Sequence, residues 1–144
     1  MIKERSAGAI LFYLSESGLE YLILHYPAGH WDFPKGNVEK GEQDEETVKR
    51  EVAEETGIKD TRILAGFKRG IEYHYRREEQ LIQKYVVFYL ATTKTKQITL
   101  SSEHLGYVWL PYAPALNKVT FNNAKKLLQE AHAFLQSPRS KNSM

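Results

Sequence analysis

Apolar positions along the chain change their period several times, and each change marks an element. Residues 7–14 (AGAILFYL) and 19–26 (LEYLILHY) read as strands. They are separated by SESG, where Gly18 can take a positive φ, and this predicts a hairpin. PAGHWDFPKG (27–36) holds two prolines and two glycines and predicts a loop. From Gln43 to Thr56 there is neither Gly nor Pro, Glu, Lys, Arg and Ala abound, and Gly57 follows, so the spacing predicts a helix closed by a glycine. Residues 61–75 and 81–93, joined by the charged RREEQ, predict a long hairpin, and GYVWL (106–110) a short strand. In 120–136, Phe121, Ala124, Leu127, Leu128, Ala131, Phe134 and Leu135 recur at helical spacing, which predicts a helix packing one face on the sheet.

Strands with one helix in the middle and one at the end, without strict βαβ alternation, predict α/β packing of helices on a mixed sheet. KYVVFYLA (84–91) is apolar on both faces, so its strand is expected to be covered on both sides. With no repeat and no linker, one domain is expected over residues 1–137, and 138–144 as a flexible tail.

Composition narrows the classes. A chain of 144 residues, 42% hydrophobic and 26% charged, suits one folded domain, and no apolar run approaches the roughly 20 residues that span a bilayer. A net charge of +2, with scattered basic residues, gives no electrostatic case for duplex nucleic acid. The absence of cysteine excludes disulfides and thiolate metal sites. MIKERSAG lacks the apolar core of a secretory signal, and a cytoplasmic location is the expectation.

The predicted central helix poses an electrostatic problem. Val48 and Val52 define its apolar arc, and Glu51, Glu54 and Glu55 occupy the adjoining arc, where like charges at helical spacing repel. Acids at a core boundary stay ionised only if a cation joins them; otherwise their pKa rises. A hard divalent ion, Mg2+ or Mn2+, shared between carboxylates and substrate phosphates would meet that need. A merely solvated acidic face is the competing reading. Arg50, beside Glu51 and four residues from both Glu46 and Glu54, is expected to orient a carboxylate. Glu42, just ahead of the helix, suits its dipole, and Glu45 and Glu46 read as first-turn acids.

Spacing decides between the readings. Gly36, Glu42, Arg50, Glu51, Val52, Glu54, Glu55, Gly57 and Ile58 satisfy G-x5-E-x7-R-E-U-x-E-E-x-G-U, with U aliphatic, at every specified place. Chance agreement is on the order of one in 10⁸ per starting point. The segment resembles the signature of the Nudix hydrolases. That resemblance implies an α/β/α sandwich around a mixed sheet, cleavage of a nucleoside diphosphate linked to another group, and metal binding by Glu51, Glu54, Glu55 and the Gly36 carbonyl. The metal would clamp phosphate oxygens and acidify a water.

Beyond that signature, AGAILFYL, HWDFPKGNVEKGE, GFKRGIEYHY, KYVVFYLA, SSEHLGYVWL and TFNNAKKLLQEAHAFL are similar, in order, to the asymmetrical diadenosine tetraphosphate hydrolases. This resemblance implies cleavage of diadenosine tetraphosphate by water to ATP and AMP. It implies an adenine held between Tyr73 and Phe121, a phosphate chain held by Lys84, and Glu103 reaching the metal site. Tyr73 shares a strand face with Ile71 and Tyr75, and Phe121 lies on an apolar stripe, so core packing is the alternative for both. Lys84 shares its strand face with Val86, Phe88 and Leu90, where a lysine must find an anion or escape to water. Lys35, beside Gly36, is a second phosphate candidate. His104 is a candidate substrate contact and His30 lies beside the motifs; structural roles are open for both.

Other substrates, namely a nucleoside triphosphate, an RNA 5' end or a diphosphoinositol polyphosphate, remain as alternatives, as does a non-catalytic nucleotide-binding module. The sequence does not choose the general base among Glu51, Glu54, Glu55 and Glu103, nor an oligomeric state.

Overall fold

The first hairpin forms where the pattern places it, from β1 (Ile2–Ser15) and β2 (Gly18–His25), with Gly18 at φ 125°. The computed structural model describes residues 1–138, so most of the expected tail (residues 139–144) lies outside the described residues. Strand β1 starts five residues before its apolar run. It does so because it pairs in parallel with β6 (Gln80–Thr92) from Ile2↔Ile82 to Phe12↔Thr92. Strand β5 (Arg62–Arg77) pairs antiparallel with β6, and β7 (Gly106–Leu110) with β2.

Two departures from the sequence reading concern short elements. PAGHWDFPKG is not all loop. It holds β3 (Trp31–Asp32), paired with β2, and the start of β4 (Lys35–Asn37), paired with β1 through Gly8↔Lys35, Ala7↔Gly36 and Ser6↔Asn37. A helix not anticipated, α2 (Tyr112–Lys118), follows β7.

The sheet, ordered β3-β2-β1-β6-β5 with β4 and β7 attached, separates two apolar layers. On one face Val87, Tyr89 and Ala91 of β6 pack with Val48 and Val52 of helix α1 (Asp44–Thr56). On the other, Val86, Phe88 and Leu90 pack with Ala124, Leu127, Leu128 and Ala131 of helix α3 (Asn122–Leu135). Both faces of β6 are therefore covered, and the result is the expected mixed-sheet sandwich. No described helix is long and apolar enough to cross a membrane.

Candidate active site

Helix α1 is fixed at both ends. The Gln43 N–H donates to Glu46 Oε1 at 2.9 Å, and Gly57 (φ 78°) closes the last turn through its N–H to the Ala53 carbonyl. Burial of Val48 and Val52 under the sheet sets the rotation of the helix, which grades the acids beside them. Glu55 is 4% exposed, Glu51 is half-buried, and the Glu54 side chain is open to solvent.

Arg50 ties this edge together more widely than helical spacing suggests. Its guanidinium donates to both oxygens of Glu42 (2.7 and 3.0 Å), to Glu51 Oε1 (2.8 Å), to Glu54 Oε2 (3.1 Å) and to the Asn37 carbonyl (2.9 Å). Its acidic partners are thus Glu39 (3.2 Å), Glu42, Glu51 and Glu54, while Glu46 is taken by the cap. Glu42, which also accepts from the Thr47 hydroxyl and the Glu39 N–H, is held down to about 2, first by Arg50. It is an anchor for Arg50 more than a complement to the dipole.

The deeper acids move the other way. Burial raises the Glu51 pKa despite Arg50, and burial followed by Glu51, Glu103 and Glu54 pushes Glu55 up to about 9. Glu55 Oε1 lies 2.9 Å from His104 Nε2, but Oε2 is buried and has no hydrogen-bond partner. Strand β4 passes so close that a Cβ on Gly36 would collide with the Glu51 carboxylate, which explains the glycine. Among the described residues no three His, Cys, Asp or Glu side chains form a ready-made metal cage. Two destabilised carboxylates, one with an orphaned oxygen, beside the Gly36 backbone still fit a hard cation that keeps several of its waters. Glu51, Glu55 and the Gly36 carbonyl are the residues that would hold it.

On the α3 side of the sheet lies a cavity of about 530 Å³. Tyr73 of β5 and Phe121, at the N-cap of α3, line it, and both keep large exposed areas (39% and 50%) instead of entering the core. His30 lines it too, stacked on Tyr26 (4.7 Å, 8° between planes) and tilted 5.3 Å from Phe121. Nothing in the apolar periodicity marks His30 for this place. Its signal was only its place between Gly29 and Trp31, ahead of the glutamate motif.

Strand β4 joins this cavity to the carboxylates within three residues. Lys35 lines the cavity and bonds Asp32 (3.1 Å), and its charge is also felt by Glu55. Gly36 faces Glu51, and Asn37 accepts from Arg50 through its carbonyl and from Lys84 through Oδ1 (2.8 Å). Lys84 is opposite Tyr73 in the β5–β6 register, with its side chain 12% exposed and Glu4 at 3.6 Å. Burial lowers its pKa, and Glu4 opposes that.

The remaining candidates lie on the loop before β7. Glu103 is exposed and close enough to raise both Glu51 and Glu55. Of the two roles open for His104, its burial favours the structural one: the side chain is 3% exposed, bonded to Glu55 and edge-on to Tyr26 (4.7 Å, 86°).

The chain and its fold have counterparts among known proteins. A NUDIX domain model matches residues 4–131. The chain is 39% identical to the asymmetrical bis(5'-nucleosyl)-tetraphosphatase of Mus musculus over 92% of this chain and 96% of that one, and 35% identical to the Sus scrofa protein of the same name over the same shares. A crystal structure of a C. elegans Ap4A hydrolase binary complex superposes with a TM-score of 0.81 at 27% identity, covering 92% of this chain and 98% of that one.

Proposed function

This chain belongs to the NUDIX family and is a hydrolase, and from that premise we propose that it cleaves bis(5'-nucleosyl) tetraphosphates, diadenosine tetraphosphate foremost, to ATP and AMP. The observation that carries the reading is the span of β4. Three consecutive residues link a cavity flanked by two exposed aromatic rings to a set of acids destabilised by burial. A polyphosphate with an aromatic base at one end has that shape and charge.

In this reading Tyr73 and Phe121 stack on one adenine, each contact contributing roughly 1 to 3 kcal/mol. Lys35 and Lys84 bind the phosphate chain; to do so Lys84 leaves Asn37 and Glu4, exchanging one set of acceptors for another. Mg2+ or Mn2+ held by Glu51, Glu55 and the Gly36 carbonyl would neutralise phosphate oxygens and make water acidic enough to lose a proton near neutral pH. Arg50 holds Glu51 and Glu54 in place, and Glu103 faces the same acids as a candidate base. Water adds across one P–O–P bond and a proton leaves, so the side chains serve to bind, orient and accept that proton. A cytoplasmic location is part of the reading.

A competition assay tests it. Diadenosine tetraphosphate, ATP, a triphosphorylated RNA 5' end and a diphosphoinositol polyphosphate are offered at equal concentration with Mg2+. We expect the dinucleotide to be consumed at least tenfold faster than any other. Preference for another substrate refutes the assignment, and turnover of none refutes the reading as a whole.

A further inference from the structure

We propose that His104 is a positioning residue for Glu55, whose hydrogen bond to Oε1 turns Oε2 toward the divalent ion; the inference rests on the reading above that Glu55 holds that ion. The two side chains come from elements 49 residues apart and are brought together by four backbone bonds. Thr99 N–H donates to the Thr56 carbonyl (2.9 Å), Ser101 N–H to the Glu55 carbonyl (3.0 Å), His104 N–H to the Ser101 carbonyl (3.2 Å) and Leu105 N–H to the His25 carbonyl (2.8 Å). The loop is thereby stapled both to the last turn of α1 and to the end of β2.

The imidazole itself has little freedom. Its ring stands edge-on to Tyr26, whose hydroxyl is anchored on the Phe33 carbonyl at 2.6 Å, and its Nε2 meets Glu55 Oε1 at 2.9 Å. Its Nδ1 is buried beside the His25 backbone. With the ion bound and Glu55 ionised, the proton that Oε1 accepts is the one on Nε2. Oε1 is then occupied, and Oε2, buried and unpartnered, is the oxygen left to ligate. Histidine and carboxylate here reverse their more common order, the carboxylate binding metal and the histidine orienting it, but the physical logic is the same. An outer group fixes the rotamer of a ligand and removes the entropy that binding would otherwise cost.

Mn2+ alone, titrated without substrate into wild type, Glu55→Gln, His104→Gln and His104→Phe and followed by electron paramagnetic resonance, tests the inference, with melting temperature recorded for each protein. Glutamine keeps an N–H donor that can reach Oε1; phenylalanine keeps the ring against Tyr26 without a donor. We expect His104→Phe to bind Mn2+ roughly ten- to a hundredfold more weakly than wild type. His104→Gln should stay within about threefold of wild type. Wild-type affinity in His104→Phe overturns the inference and leaves the metal site standing, as does an equal loss in both variants, which would assign the effect to the ring. If His104→Phe does not fold, His104→Leu takes its place as the variant without a donor, weaker binding there with retention in His104→Gln supporting the inference and wild-type affinity in His104→Leu overturning it. A wild type that binds Mn2+ no better than Glu55→Gln overturns both the metal reading and this inference.

Discussion

Replacing Glu55 by glutamine should make the metal-free protein more stable while removing its activity. Glu55 is 4% exposed and its carboxyl is pushed from 4.5 up to about 9 by burial and by Glu51, Glu103 and Glu54. A carboxyl raised in this way binds its proton more tightly folded than unfolded. Its stabilising contribution is complete below pH 4.5 and is lost progressively as pH rises through about 9. Each pH unit across that window costs about 1.4 kcal/mol, so at pH 8 the ceiling is about 5 kcal/mol, and relaxation and water entry reduce it to about 2 kcal/mol. Glutamine resembles the protonated form and does not titrate. Urea unfolding in EDTA should therefore show Glu55→Gln more stable than wild type by about 2 kcal/mol at pH 8, a melting temperature several degrees higher. The gap should shrink steadily toward pH 5. Saturating Mg2+ should reverse the order, adding about 2.7 kcal/mol to wild type at a hundred times its dissociation constant and little to the variant. Turnover should fall by roughly a hundredfold or more. A variant less stable than wild type in EDTA, or a gap that does not grow with pH, would refute the reasoning.

Three further outcomes follow from other parts of the structure. Arg50→Lys, which cannot reproduce the fork onto Glu42, should weaken the acid limb of the stability profile, because Glu42, held down to about 2, contributes above pH 4.5 and loses its contribution as pH falls through 2; acid titration by circular dichroism reads this, together with a lower kcat. Tyr73→Ala should raise KM for diadenosine tetraphosphate by roughly five- to a hundredfold, with a smaller effect on kcat, since the lost stacking binds ground state and transition state alike. Glu78 and Glu79 both take positive φ (51° and 66°) at the tip of the β5–β6 hairpin, a conformation that favours Asn-Gly, so Glu78→Asn with Glu79→Gly should stabilise the fold by about 1 kcal/mol without changing turnover.

What the sequence conveyed depended on how local the cause was. Helix α1 was legible because its period, its capping and Gly57 all lie within one stretch, and its acids because their arc adjoins Val48 and Val52. The covered strand β6 was legible because both of its faces are apolar. Helix α2 was not: YAPALNK has Pro111 at its N-cap and Pro114 inside its first turn, residues that read as loop until seen at a helix start, where a missing N–H costs nothing. Strands β3 and β4 are two and three residues long and exist only because β2 and β1 supply their partners. Contacts far apart in sequence were hidden for the same reason. Helical spacing offered Arg50 the wrong glutamate, Glu46, while the loop brought it Glu42, and nothing local announces that His104 ends behind Glu55.

Product analysis tests the central claim most directly. Diadenosine tetraphosphate is incubated with the purified protein, with Mg2+ and again with EDTA, and the nucleotides are separated by anion exchange. Equimolar ATP and AMP in Mg2+ and no products in EDTA are expected. Two molecules of ADP, or no turnover in Mg2+, would contradict it.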